Sequence, residues 1–145
     1  MKKIILYLLT IVIIIVTIII SKYYQLKDTK VSITKYNHGF EKYTESEIFG
    51  TDVTTVINQA VNNNEKFYIK KDDKNNYIQD DTNSIKIEVK INDLEEDTIY
   101  NMETLYYGGM NDFVRYYGQI KFKCTKKEYH ENGKIKYILF EQIMS

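Results

Sequence analysis

One cysteine, two histidines and no proline or tryptophan occur in the 145 residues, and each shortage excludes something. Cys124 has no partner within the chain for a disulfide, so any folded domain must be held by its core alone. No cysteine precedes it, which also excludes an acylated lipoprotein cysteine behind the apolar start. Two histidines and one cysteine do not make a dedicated zinc set. Basic and acidic residues balance at 20 each, but unevenly. Residues 1–30 hold five lysines against one aspartate, leaving 15 basic and 19 acidic residues beyond. The remainder is mildly acidic and lacks the concentrated basic surface that phosphate binding needs, so no nucleic acid is expected as partner.

What the chain does have is a long apolar start, MKKIILYLLTIVIIIVTIIISKYY. The 17 residues from Ile4 to Ile20 carry no charge, and as a helix they span roughly 26 Å, near the lower limit for a bilayer core. A cleaved signal peptide also begins with a short basic segment such as Lys2-Lys3, but this run exceeds the usual ~7 to 15 residues of a signal core. The exit Thr17-Ile18-Ile19-Ile20-Ser21-Lys22 offers no small-x-small cleavage site. The expectation is an uncleaved single-pass anchor in the cell membrane, with the bilayer as first partner. Lys2, Lys3 and the terminal amine favour an inside amino end, diluted by Lys22, Lys27 and Lys30, so the carboxyl domain is expected outside. Tyr23 and Tyr24 then suit the outer interface.

The organisation expected is a transmembrane anchor over residues 1–21, a juxtamembrane helical segment over 22–49 and an extracytoplasmic α+β domain over 50–145. No proline interrupts residues 22–49, where Val31, Ile33, Tyr36, Phe40 and Tyr43 recur at spacings of two to four; Gly39 is a candidate break. In IFGTDVTTVINQAV, Val53, Val56, Ile57, Ala60 and Val61 make one helical stripe. Thr51 or Asp52 is expected to cap it, and Asn62-Asn63-Asn64 to end it. Further on, FYIKK (67–71) and YIQD (77–80) flank a polar DDKNN turn, and NSIKIEVKI (83–91) alternates as a half-buried strand.

LEEDTIYNMETLYYGG suits a short helix through Ile99, Met102, Leu105 and Tyr106, although TIY equally suits the end of a strand; Gly108-Gly109 ends it. MNDFVRYYG reads as one more helical turn capped by Asn111 or Asp112. The last element is a hairpin, GQIKFKCTKKEYH and KIKYILFEQ joined by Glu131-Asn132-Gly133, with Ile120, Phe122 and Cys124 on one face. The fold class expected is α+β: an N-terminal transmembrane helix followed by a helix and antiparallel-sheet domain.

Little of this carries chemistry. Gly50-Thr51-Asp52-Val53 has one glycine, no lysine and a carboxylate where phosphate charge would arrive, so it is read as a helix start rather than a phosphate loop. DDKNNYIQDD fails as a calcium loop: from Asp73, Tyr77 falls at the fifth position, Ile78 replaces the glycine and Ser84 the final glutamate. Cys124 and His130 on one strand lie about 20 Å apart, too far for a nucleophile and base. His38 lies on the anchor side, and Cys124 reads as a small core residue. Adjacent carboxylates at Asp80-Asp81 and Glu95-Glu96-Asp97 read as solvated loops. No catalytic residue, cofactor site or metal site is assigned. The candidates for surface binding are Tyr106, Tyr107, Tyr116 and Tyr117, two Tyr-Tyr-Gly runs ten residues apart.

The segments EIFGTDVTTVINQAVNNNEK, NSIKIEVKI and KFKCTKKEYHENGKIKYILFEQ resemble a group of uncharacterised small, single-anchor membrane proteins of low-G+C Gram-positive bacteria. The resemblance implies a membrane-tethered extracellular domain and supplies no activity. The layout is also similar to pilin-like proteins: a short basic start, an apolar helix and an α+β head. Their processing motif places a glycine just before the apolar run and a glutamate shortly after it, whereas here the first glycine is Gly39 and the first glutamate Glu41. The functional expectation is therefore a non-enzymatic envelope protein that binds another envelope protein or surface component. The alternative is an envelope hydrolase or transferase using carboxylates such as Asp52, Asp97 or Asp112, and a third option is a small-molecule sensor, if the tyrosines line an apolar cavity.

Overall fold

The computed structural model describes residues 2–92 and 97–144. Helix α1 spans Lys2–Glu41, and the chain divides into two compact units, Met1–Tyr36 and Asn37–Ser145. The second unit takes in residues 37–49 as well as the expected domain over 50–145.

In the first unit the apolar window of α1 has a mean hydropathy of 3.2, and none of it is buried. A helix of this length and composition is able to cross a membrane, and its exposure separates it from the core helix of a globular domain.

The second unit opens with the last turn of α1, which runs through Gly39 without a break. It continues with β1 (Ile48–Phe49), α2 (Gly50–Lys66), β2 (Lys86–Asn92), β3 (Asp97–Asn101), α3 (Met102–Thr104), a π-helical turn (Leu105–Gly109), α4 (Met110–Tyr117), β4 (Lys121–Tyr129) and β5 (Ile135–Gln142). The strands form one sheet in the order β1-β4-β5-β2-β3. The expected α+β layout is what forms, and its sheet is mixed: β2 and β5 run parallel while the other neighbours are antiparallel. A parallel pair needs a long crossover, and here it is everything between β2 and β5.

Burial follows the sequence periods. The stripe Val53, Val56, Ile57, Ala60 and Val61 on α2 is completely buried against a sheet face formed by Ile87, Val89, Phe122, Ile138 and Phe140. Each fully buried Val, Ile or Phe side chain contributes roughly 1.5 to 3 kcal/mol of gross transfer energy. Lys86, Glu88 and Lys90 alternate with the buried positions of β2 and occupy the other face. There Lys86 pairs with Glu88 at 2.5 Å, Lys90 with Asp97 at 2.7 Å and the Tyr137 hydroxyl donates to Glu88 at 2.6 Å.

Several expectations are corrected. Neither Thr51 nor Asp52 is the N-cap of α2; Phe49 holds that place, and the Asp52 carboxylate reaches back to accept its N–H at 3.2 Å. The asparagine run does not end α2. The helix continues to Lys66 and closes in a Schellman motif: Tyr68 N–H donates to Glu65 O (3.1 Å), Ile69 N–H to Asn64 O (2.9 Å), and Tyr68 takes φ 54°. Residues 67–71 and 77–80 are not strands; a single bridge, Lys71 to Tyr77, joins them. The reason lies in the turn, where Asp72 Oδ1 accepts Lys74 and Asn76 N–H at 2.9 and 2.8 Å and gives the backbone a local alternative to a ladder.

Asp97–Asn101 is strand rather than helix, paired along its whole length with β2. The rest of that expected segment, residues 93–96, lies outside the described residues. Helix begins only at Met102, and α4 continues out of the π turn with Gly109 before it, so neither Asn111 nor Asp112 caps it. The hairpin forms as expected, but with positive φ at Gly133 alone (85°) and a bond from Gly133 N–H to His130 O at 2.9 Å. That is a type I turn closed by a left-handed glycine. The ladder is irregular at two places: β4 has an extra residue, Thr125, between Cys124 and Lys126, and β5 has an extra residue, Lys136, opposite the step from Glu128 to Tyr129.

Candidate functional site

The start of α2 is closed to ligands by the protein itself. Gly50 N–H donates to Ile120 O at 2.9 Å and Thr51 N–H to Gly118 O at 3.2 Å, so amides that a phosphate would use are occupied. Gly50 is required by proximity: a Cβ there would stand 2.1 Å from the Tyr117 carbonyl oxygen.

The carboxylates of the hydrolase alternative have separate partners. Asp52 accepts the Phe49 N–H, Asp97 pairs with Lys90, and Asp112 alone lines a cleft described below. Glu95 and Glu96 lie outside the described residues. Asp80 closes its own loop: burial works to raise its pKa, but N–H groups of Ser84, Asn83 and Thr82 outweigh it and hold the carboxyl at about 2. His130 is buried, with Nε2 2.6 Å from the Ser84 carbonyl, a bond that requires the proton on Nε2. The Cys124 thiol donates to Lys126 O at 3.5 Å, and burial pushes its pKa up. The two residues therefore serve different partners. His38 is exposed on α1. Among the described residues no three His, Cys, Asp or Glu side chains form a group able to hold a metal.

The four tyrosines do not form one patch. Tyr106 and Tyr107 pack edge to face at 5.0 Å, and Lys71 donates to the Tyr107 hydroxyl at 2.6 Å while lying over the Tyr77 ring. Glu103 is buried, with Oε1 accepting the Tyr77 N–H at 3.0 Å. Burial, together with Tyr107 and the carboxylates of Glu65 and Glu103, drives the Tyr77 pKa far above its usual value. This end of the unit is a structural cluster.

Tyr116 and Tyr117 belong elsewhere. With Ile91, Tyr100, Leu105, Asp112 and Phe113 they line a cleft of about 250 Å³ between the β2–β3 edge and α4. The helix period explains its lining: Asp112 and Tyr116, and Phe113 and Tyr117, are i, i+4 pairs on neighbouring stripes of α4. Phe113 is buried, with ring centroids 5.5 Å from Tyr117 and 5.8 Å from Phe122, and so fixes α4 to the sheet. Tyr116 stays 64% exposed, with the Arg115 guanidinium 5.5 Å from its ring. The first Tyr-Tyr-Gly run lies within the π turn and the second closes α4, and only the tyrosines of the second line the cleft.

Tyr100 is the site residue that sequence reasoning misses. It is embedded in a segment whose spacing reads as helix, and its one signal is the alternative that Thr98-Ile99-Tyr100 finishes a strand. The chain matches no protein-family model, no curated protein and no solved structure.

Proposed function

We propose that the chain is a single-pass membrane protein of the cell envelope. In this reading its α+β unit lies outside the membrane and binds another envelope protein through the cleft between Tyr100 and Tyr116. The observation that carries the binding reading is the cleft itself: aromatic and aliphatic walls from Ile91, Leu105, Tyr100, Phe113 and Tyr116, with one carboxylate, Asp112, among them. A few placed polar groups within apolar walls are the usual make-up of a binding cleft. Tyrosines at its rim offer large contact area at little cost in side-chain entropy. The anchor reading is supported by the exposed apolar helix, and the outside placement by Lys2 and Lys3 at the amino end.

The test is a photoreactive phenylalanine analogue at position 116 of the full chain in cell membranes, with position 68 as control because Tyr68 is 91% exposed and outside the cleft lining. A discrete protein adduct from 116 and none from 68 is expected. Identical adducts from both, or none, would overturn the binding reading. Release of the intact chain by alkali from washed membranes would overturn the anchor, and resistance of the folded unit to protease added to intact cells until lysis would overturn its outside placement.

A further inference from the structure

The cleft opens beside a sheet edge that is unpaired among the described residues. Strand β3 ends the five-stranded sheet and pairs only with β2 among the described residues, so its outer N–H and C=O groups have no ladder partner there. Proteins blunt such edges with proline, bulges, charge or brevity. The opposite edge, β1, is two residues long. By contrast β3 has five residues, no proline, an unbroken register, and at its centre Thr98, Ile99 and Tyr100, with Ile99 54% exposed.

The register connects edge and cleft. Tyr100 lies opposite Val89 and Thr98 opposite Ile91, and Val89 and Ile91 are buried on the helix side of the sheet. Tyr100 therefore projects on that side, toward Asp112 and Tyr116 across the cleft. A strand added to the outer edge of β3 would place alternate side chains on the same side, and one of them would enter the cleft.

The lining states which side chain fits. The Asp112 carboxylate has neither hydrogen bond nor ion pair among the described residues, and it stands with the rings of Tyr100, Tyr116 and Phe113. Ring faces and a carboxylate together attract a cation, and the walls of Ile91 and Leu105 suit the methylene stem of a lysine. A second copy pairing through β3 would bring Asp97-Thr98-Ile99-Tyr100-Asn101, which has no cation to offer Asp112. We propose that the β3 edge and the Tyr100-Asp112-Tyr116 cleft form a strand-addition site for an extended segment of a partner protein, whose lysine side chain occupies the cleft. This rests on the binding reading above and adds the partner's conformation and charge.

The experiment uses the full chain in detergent micelles and fluorescent, end-blocked peptides of alternating threonine and valine around a central lysine. Replacing that lysine by norleucine should weaken binding about tenfold, and glutamate should abolish it. N-methylation of one alternate set of peptide amides should abolish binding, while methylation of the other set is tolerated, because only one set faces β3. Asp112→Asn, with its fold checked by thermal midpoint, should bind the lysine and norleucine peptides alike. Absence of peptide binding, absence of lysine preference, or tolerance of both methylation sets would overturn the proposal. So would a dimer of the chain in micelles that Ile99→Lys dissociates, which would give the edge to a second copy. An adduct at position 116 in cells without these peptide preferences leaves the cleft reading standing and removes strand addition; loss of the adduct as well removes both.

Discussion

Asn64 and Ile85 form a complete pair of hydrogen bonds between a helix side chain and a strand backbone. Asn64 Nδ2 donates to Ile85 O at 2.8 Å, and Ile85 N–H donates to Asn64 Oδ1 at 2.9 Å, with Asn64 fully buried. The amide stands in for a neighbouring strand at the entrance to β2. Asn37 repeats the device, donating to Gly133 O at 2.8 Å and accepting from Ile135 N–H at 3.0 Å. Asn64→Leu leaves both Ile85 groups buried without partners and should cost about 2 to 4 kcal/mol. Asn64→Asp keeps the acceptor but turns a carboxylate on the Ile85 carbonyl, and should cost no less. Urea denaturation of both variants checks this.

Gly50 and Gly39 should respond in opposite directions to alanine. At Gly50 the added Cβ meets the Tyr117 backbone, so the start of α2 must move away from the 117–120 loop, and a loss above about 2 kcal/mol is expected. At Gly39 a Cβ meets nothing within 4 Å, and helix propensity should add about 0.5 to 1 kcal/mol. Thermal midpoints of the two variants decide the matter.

Tyr68 holds a left-handed conformation that suits glycine, and its side chain is 91% exposed. Tyr68→Gly should therefore stabilise the unit by about 1 kcal/mol, read as a higher urea midpoint with an unchanged slope. A decrease would show that the ring contributes contacts outweighing the backbone strain.

Asp52→Ala should cost about 0.5 to 1 kcal/mol, since it removes one exposed acceptor from the Phe49 N–H. Inorganic phosphate should leave the melting temperature of both the parent and this variant unchanged, because Gly50 and Thr51 N–H are already bonded. Calorimetry with and without phosphate tests both statements.

Asp80 sets an acid limit. Its carboxyl is depressed from 3.8 to about 2, so the stabilisation is fully present above pH 3.8 and is lost as pH falls through about 2. Partial exposure reduces the stabilisation to about 1 to 2 kcal/mol. Asp80→Asn should remove that part of the acid dependence, leaving a flatter stability profile between about pH 4 and 2, as measured by urea titration at each pH.

The apolar helix, the α2 stripe, the alternation of β2 and the final hairpin are legible because each is a local period of hydrophobicity. A run of uncharged residues, a 3.6-residue repeat and a two-residue repeat state which face must leave water whatever surrounds them. What ends each element is not legible. Asn62-Asn63-Asn64 reads as a stop, yet Asn64 continues the spacing of Ile57, Ala60 and Val61 along α2 and finds its partner in Ile85, which lies 21 positions away. Likewise Asp72 turns two expected strands into a loop, and the pairing of β3 with β2 overrides the helical spacing of Ile99 with Met102.

The sequence by itself determined the membrane-competent helix, the absence of any internal disulfide, and the α+β class. Those follow from transfer free energy and composition, which need no partner. Only the tertiary structure decided that Tyr116 meets Tyr100 and Asp112 while Tyr106 and Tyr107 belong to a different cluster. A cleft is made by residues from separate elements, and the strand register and the π turn that bring them together depend on contacts that no local spacing encodes.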